Sequence, residues 1–274
     1  MITCKDYVEN RKKELKEKIE KYKSNGLKAP SLCVIQVGDN PASNSYINGK
    51  KTDCENVGIE FHHTKFDEYI GSHTLMNYIT ECSISDKYNG IIVQLPLPSH
   101  INVETVTDYI PANKDVDGFR RDSLFDPCTP KGIMDWLDYN KYDVTGKDVI
   151  VIGRSKIVGK PLVNMLIDKG ATVTCCNSKT TDLAHYLSYA DVVISAIGKP
   201  KYFDGLDFKC SDIIVDVGIN RDENGKLCGD VDRESVKRVF DNTYVTPVPG
   251  GVGLLTRLAL LDNVVKAYEI QNRI

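Results

Sequence analysis

The chain predicts an α/β protein of two domains, and three observations carry that expectation. Short apolar runs alternate with helical patterns from Ser31 onward, which is the signature of βα units in parallel sheets with right-handed crossovers. The run Val149-Ile-Val-Ile152 stops at Gly153 and is followed by Gly159, Pro161 and apolar residues at helical spacing. Strand, glycine turn and helix in that order point backbone N–H groups and a helix N-terminus at a phosphate. Between the two alternating halves lies a Pro-rich stretch, Phe125 to Gly132, which marks the boundary. We therefore expect a first domain over 1–125 and a second, Rossmann-like parallel sheet over 126–253. A last helix over 254–274 is expected to pack back on the first domain.

In chain order, residues 6–24 read as a charged helix with Val8, Leu15, Ile19 and Tyr22 in one stripe. Asn25-Gly26 ends it. Ser31–Val37 is a strand, and Gly38 to Pro41 a turn. Ser43–Val57 is a helix on which Tyr46 and Lys50, four residues apart, share a face. By spacing alone that pair reads first as a surface lysine lying along a half-buried tyrosine, and only second as a functional pair. Ile59–Phe66 is a strand and Ser72–Cys82 a helix. Gly90-Ile-Ile-Val93 is a short buried strand with Gln94 at its C-terminal end, the end where open α/β sheets bind ligands. Gln94 also fits a plain backbone-capping amide. Two X-Pro bonds follow, either of which can be cis.

Asp115 and Asp117 flank a valine before Gly118, in the manner of turn formers. A helix from Pro130 to Tyr139 is expected, with Thr129 as its N-cap. The second half then repeats strand and helix through Ala171–Cys175, Asp182–Tyr189, Val192–Ser195 and Ile213–Val217. Asn224-Gly225 marks a hairpin, and Tyr244–Thr246 is a last strand. The loop Pro247 to Gly253 is dense in glycine, so backbone can approach a ligand closely.

Composition narrows the class. Hydrophobic residues at 41% and charged residues at 27% are ordinary for a globular protein, and a net charge of −3 offers no field for nucleic acid. No apolar run reaches the ~18 residues of a membrane span, and the N-terminus shows no signal segment. The nine cysteines are scattered without Cys-x-x-Cys or zinc spacing. We expect no metal, no disulfide and a reducing, cytoplasmic setting.

The glycine turn departs from the common dinucleotide fingerprint. Ser155 stands where a glycine is usual, and the third glycine, Gly159, comes one position late. By itself it fits either a dinucleotide site or a plain βα turn. The position at the end of the following strand, where a carboxylate would hold an adenosine 2′-hydroxyl, falls near Cys176-Asn-Ser178. Ser178 and Lys179 stand there without an acid, and Arg154 lies in the turn. Donors and cations suit a 2′-phosphate, so the residues favour NADP over NAD.

Seven motifs in series then carry a resemblance over nearly the whole chain. They are Ser45-Tyr46-Ile-Asn-Gly-Lys50, Val93-Gln94-Leu-Pro-Leu-Pro98, Lys114-Asp-Val-Asp117-Gly118 and Pro127-Cys-Thr-Pro-Lys-Gly132, followed by Gly153-Arg-Ser to Gly159-Lys-Pro161, Asp216-Val-Gly-Ile-Asn220 and Thr246 to Gly253. Together they resemble the bifunctional methylenetetrahydrofolate dehydrogenase/methenyltetrahydrofolate cyclohydrolase family. The resemblance implies two α/β domains around a cleft, a cytosolic homodimer joined through the cofactor domain, and a folate substrate. It implies oxidation of 5,10-methylenetetrahydrofolate by NADP and hydrolysis of the product to 10-formyltetrahydrofolate. On this sequence it makes Lys50 the catalytic lysine, Tyr46 its partner over the substrate and Gln94 the residue bonded to that lysine. It makes Asp117 the pterin anchor and puts Gly250 and Gly251 against substrate. Gly153, Arg154, Ser155, Gly159, Ser178 and Ile219 fall on cofactor-contacting positions.

The residue types suit that chemistry. Hydride transfer needs held carbons rather than a protein base. Hydrolysis needs proton management, and a lysine at its ordinary pKa of ~10.4 is a poor base until burial lowers it. The chain departs from the family pattern in three places. The first strand is reduced to Met1-Ile-Thr-Cys4, Leu254 replaces the usual proline, and the segment between Phe119 and Pro127 is shorter than the family's loop. The shorter segment leaves a second reading open, a dehydrogenase with weak or lost cyclohydrolase activity. A noncatalytic dinucleotide- or folate-binding subunit is the third.

Overall fold

A computed structural model describes every residue except residue 210. The chain divides into two compact units: Glu9–Cys128 with Arg257–Ile274, and Met1–Val8 with Thr129–Thr256. Residues 1–8, expected with the first domain over 1–125, cluster with the second unit. Ile2 donates its N–H to Asn140 Oδ1 and accepts from Trp136 Nε1, and the Tyr7 ring lies 4.8 Å from that of Tyr139. Those partners all lie in the second unit. Four residues with no strand pattern gave no sign of this attachment.

The first unit holds most of α1 (Cys4–Ser24), then β1 (Ser31–Val37), α2 (Pro41–Val57), β2 (Glu60–Phe66), α3 (Ser72–Ile84), β3 (Gly90–Val93) and α4 (Val103–Thr107). Its sheet is parallel in the order β2-β1-β3. The central strand β1 is buried along its whole length, which is why Ser-Leu-Cys-Val-Ile-Gln-Val reads as continuous rather than alternating. Edge strand β2 alternates between half-buried and exposed residues. Asn40 starts α2 two residues earlier than the periodicity suggests. Its side chain accepts from Ala42 and Ser43 N–H, and Pro41 occupies the first turn. Gly58 ends the helix at φ +92°, a conformation that favours glycine.

The second unit contains most of α5 (Cys128–Tyr139), then β4 (Asp148–Ile152), α6 (Gly159–Asp168), β5 (Thr172–Cys176), α7 (Leu183–Leu187), β6 (Val192–Ser195) and β7 (Ile213–Asp216). The hairpin strands β8 (Asn220–Arg221) and β9 (Leu227–Cys228), α8 (Arg233–Val239) and β10 (Tyr244–Val245) complete it. Five parallel strands run in the order β10-β7-β6-β4-β5. Ile150, Val193, Ile214, Phe203, Phe208 and Val245 build the core on one face. At about 25 cal/mol per Å², each such fully buried side chain contributes roughly 1.5–3 kcal/mol. Thr129 is not an N-cap: α5 already begins at Cys128, and the Thr129 hydroxyl pairs with that of Thr256 at 2.9 Å.

The last helix, α9 (Val252–Asn272), starts two residues before its apparent apolar stripe. Its residues from Arg257 onward belong with the first unit. There Asn263 Nδ2 donates to the carbonyls of Val116 and Asp126, and Gln271 Nε2 to those of Asn89 and Asn113. Leu258, Leu260, Leu261, Val264, Val265 and Tyr268 are all buried, so the helix is covered on more than one face. Among the described residues no helix is long and apolar enough to cross a membrane, and no group of His, Cys, Asp and Glu is placed to hold a metal.

Candidate active site

In the first unit the C-terminal end of the sheet gathers polar side chains. Lys50, on α2, is 7% exposed, and its Nζ donates to Gln94 Oε1 at 3.0 Å. Gln94 follows β3 directly. Its Nε2 donates to the carbonyl of Leu95, and its own N–H donates to Ile35, extending the sheet ladder by one bond. The amide is thus fixed at both ends, and its oxygen is turned toward the lysine. Ser43, one turn before Tyr46, donates to the same Leu95 carbonyl at 3.2 Å, tying α2 to the cis Leu95–Pro96 turn. Tyr46 sits half-buried one turn before Lys50. Burial raises its phenol's pKa, and the charge of Arg257 pulls it partly back.

Asp117 lies in the turn after α4, half-buried, and its backbone carbonyl accepts from Cys128 N–H. The preceding Asp115 is fully buried. Burial raises its pKa, tempered by the N–H of Arg120 at 2.9 Å. The short segment beyond is tightly self-bonded. Arg120 grips Asp122 with Nε and Nη2 and reaches the carbonyl of Asp108, and Ser123 donates to the Asp115 carbonyl. Gly118 is required there, because at φ +71° a Cβ would stand 2.6 Å from the backbone of Asp126.

In the second unit the turn between β4 and α6 has no room for side chains at its glycines. A Cβ on Gly153, at φ +123°, would lie 2.4 Å from the carbonyl of Ala196, and one on Gly159 would lie 2.0 Å from that of Gly153. Ser155 replaces the usual glycine by closing the turn itself: its Oγ accepts from the N–H groups of Val158 and Gly159. Its hydroxyl proton remains available to an incoming acceptor. Arg154 is exposed beside it. After β5, Asn177 and Thr180 close a turn that leaves Ser178 and Lys179 exposed, and no carboxylate stands in it. Ile219 is 50% exposed, just after β7. Gly250, at φ +102°, and Gly251, whose Cβ would stand 2.3 Å from the Pro247 carbonyl, make the tight turn into α9.

Sequence reasoning did not find the buried anionic node behind these loops. Asp230 is fully buried and accepts from Ser195 Oγ, the N–H groups of Ile197 and Lys199, and Asn220 Nδ2, at 2.8 to 3.0 Å. Asp216 accepts from the N–H groups of Gly218, Asp230 and Val231. Burial pushes its pKa up to about 6, against those backbone donors and with the charge of Asp230 adding to the rise. The signal that was present in the sequence is two Asp/Gly pairings. A Cβ on Gly229 would lie 1.8 Å from Asp216 Oδ2, and one on Gly218 would lie 2.2 Å from Asp230 Oδ1.

A family model for the tetrahydrofolate dehydrogenase/cyclohydrolase catalytic domain matches residues 2–117. The model for that family's NAD(P)-binding domain matches residues 127–272. The chain belongs to the tetrahydrofolate dehydrogenase/cyclohydrolase family. It is 43% identical to a bifunctional protein FolD of Dechloromonas aromatica, over 98% of this chain and 97% of that one. Among solved structures it is similar to the bifunctional FolD methylenetetrahydrofolate dehydrogenase/cyclohydrolase of Campylobacter jejuni, with a TM-score of 0.93 and 42% identity, covering 99% and 98% of the two chains. It is also similar to the FolD of Trypanosoma brucei solved with NADP cofactor and inhibitor, with a TM-score of 0.92 and 28% identity, covering 100% and 98%. The chain is therefore an enzyme of the bifunctional methylenetetrahydrofolate dehydrogenase/cyclohydrolase class, spanning nearly the full length of these relatives.

Proposed function

We propose that this enzyme oxidises 5,10-methylenetetrahydrofolate with NADP and hydrolyses the methenyl product to 10-formyltetrahydrofolate, with Lys50 as the proton-handling residue. The observation that carries the assignment is the buried Lys50 Nζ held 3.0 Å from Gln94 Oε1, one helical turn from Tyr46. Bound NADP would supply the hydride acceptor, held by the turn of Gly153, Arg154, Ser155 and Gly159. What the chain supplies is placement. Tyr46 offers an aromatic face, and Asp117 offers a carboxylate for the N–H edge of the pterin. Lys50 stands where a proton must leave the water that adds to the methenyl carbon. Gln94 holds the lysine in place, and the same Nζ can then hand the proton to the departing ring nitrogen. Gly250 and Gly251 let backbone approach the substrate.

Support for NADP comes from the second unit. Gly153 and Gly159 form a turn without side chains, Ser155 keeps a donor, and Arg154, Ser178 and Lys179 stand exposed with no acid in the 177–180 turn. We extend the proposal to cytoplasmic residence, consistent with the absence of any disulfide among the eight described cysteines. We extend it also to a homodimer formed through the cofactor-binding unit. The test is a paired spectrophotometric assay with NADP and NAD in parallel. NADP-dependent formation of NADPH, followed by decay of the methenyl absorbance, is the expected result. No turnover with NADP would sink the proposal. The shortened segment over 119–127 favours a second reading, a dehydrogenase with weak cyclohydrolase. That reading predicts hydride transfer with methenyl decay no faster than in buffer.

A further inference from the structure

One charged group beside Lys50 has no part in the chemistry above. Arg257, near the start of α9, lays its guanidinium against α2, with Nη1 only 1.9 Å from where a Cβ on Gly49 would be. It is also the charged group whose field acts on the Tyr46 phenol. Asp53, one turn beyond Gly49 and 4% exposed, anchors it. Arg257 Nε stands 3.0 Å from Asp53 Oδ2, while Lys12 Nζ bonds Oδ1 at 2.5 Å. Asp53 Oδ2 is buried yet accepts no directed hydrogen bond, so its contact with Arg257 is one of charge alone.

Asp53 is already matched by Lys12. Two cations on one buried carboxylate leave one positive charge in surplus, and neither Nη group has a protein acceptor among the described residues. The side chain of Arg257 keeps 23% of its exposure. A guanidinium tethered at Nε with its fork open is preorganised for a carboxylate, because little side-chain freedom remains to be lost on binding. Gly49 makes the arrangement possible, since any side chain there would displace the fork.

A reduced folate carries its carboxylates on a glutamyl tail, beyond the aminobenzoyl ring. Resting on the reading that Tyr46 and Lys50 face that substrate, we propose that Arg257, positioned by Asp53 and Gly49, is a subsite for a carboxylate of the glutamyl tail. The subsite sets preference for glutamylated over tail-less substrate and takes no part in hydride or proton transfer.

The experiment compares 5,10-methylenetetrahydrofolate with the corresponding methylenetetrahydropteroate, which lacks glutamate, on the full-length enzyme with NADP. The unmodified enzyme is expected to favour the glutamylated substrate about tenfold in kcat/KM, the equivalent of about 1.4 kcal/mol, through KM. In Arg257→Met the ratio should fall close to one, and in Arg257→Lys to an intermediate value. Gly49→Ala, which keeps the charge but shifts the fork, should also lower it. Should Arg257→Met fail to fold, the unmodified enzyme still tests the subsite: at an ionic strength of about 1 M, where the Debye length is about 3 Å, the ratio should shrink. A ratio near one in the unmodified enzyme, or one untouched by Arg257→Met, overturns the subsite. Turnover of neither substrate instead removes the folate reading beneath it.

Discussion

Lys50 meets two demands at once: it is almost fully buried, and among the described residues Gln94 Oε1 is its one side-chain acceptor. A buried ammonium normally gathers several acceptors or a counter-ion, because desolvation of an unpaired charge is costly. A lysine left with one neutral amide can exchange protons with a bound ligand instead of being locked in an ion pair. Replacing it by methionine keeps the volume and the packing on α2 while removing the amine. We expect Lys50→Met to slow methenyl hydrolysis by at least about 100-fold, the usual contribution of a positioned proton-transfer group. Ligand affinity, followed by calorimetry with a folate analogue, should change only a few-fold. A variant that hydrolyses at the unmodified rate would show that the lysine has been given the wrong role. Gln94→Ala should cost less, about tenfold, since it loosens the amine without removing it.

At the scale of elements, the ends of β6 and β7 are joined by carboxylates rather than by apolar packing. Asp230 gathers the loop after β6, through Ile197 and Lys199, and the chain after β7, through Asn220. Removing it strands four donors, of which Ser195 Oγ is fully buried and the other three are part-buried; a fully buried, unpaired donor costs roughly 1–3 kcal/mol. Asp230→Ala should therefore lose about 4 kcal/mol or more in urea unfolding, against about 1 kcal/mol for Ser195→Ala, which removes a single donor. Asp216 adds a pH dependence whose sign is fixed by its pKa of about 6. Below about pH 3.8 the carboxyl is protonated in both folded and unfolded chains and contributes nothing. Between there and about pH 6 the folded chain binds more protons than the unfolded one. Stability from this group consequently falls as pH rises, by at most about 3 kcal/mol, and levels off above its folded pKa. The difference in unfolding free energy between the unmodified enzyme and Asp216→Asn, measured from pH 4 to pH 7, should drift in favour of the variant as pH rises. A difference that stays flat would mean that Asp216 ionises with an ordinary pKa in the fold.

For the molecule as a whole, the alternating pattern made the parallel strands and most helices legible, with boundaries off by one or two residues, while the seven-residue α8 (Arg233–Val239) was not read. Those small errors arose where side chains cap a turn, as Asn40 does, or where a helix begins inside a proline-rich loop, as α5 does at Cys128. Tyr46, Lys50 and Gln94 were legible because they sit in short motifs on one helix and one strand end. Arg257, Asp53 and Asp230 were not, since their partners are distant in sequence and each reads alone as a surface charge or a turn former. The attachment of Met1–Val8 was hidden for the same reason, being made by Trp136, Tyr139 and Asn140. Assembly is the remaining question at this scale, and the second sheet narrows it. One edge is β10, two residues long; the other is β5, Thr172–Cys176, whose unpaired backbone faces away from β4. An open five-residue edge with a half-buried Val173 is a template for pairing with a second copy unless charge or proline blunts it, and β5 carries neither. In the homodimer proposed above, β5 would be the seam. Light scattering should give twice the 30.6 kDa chain mass for the unmodified enzyme. Cys175→Lys places a charge on the exposed face of that edge without touching the ladder to β4, and should halve the mass while leaving circular dichroism unchanged. A dimer that survives Cys175→Lys would move the seam to another surface, and a monomeric unmodified enzyme would remove it.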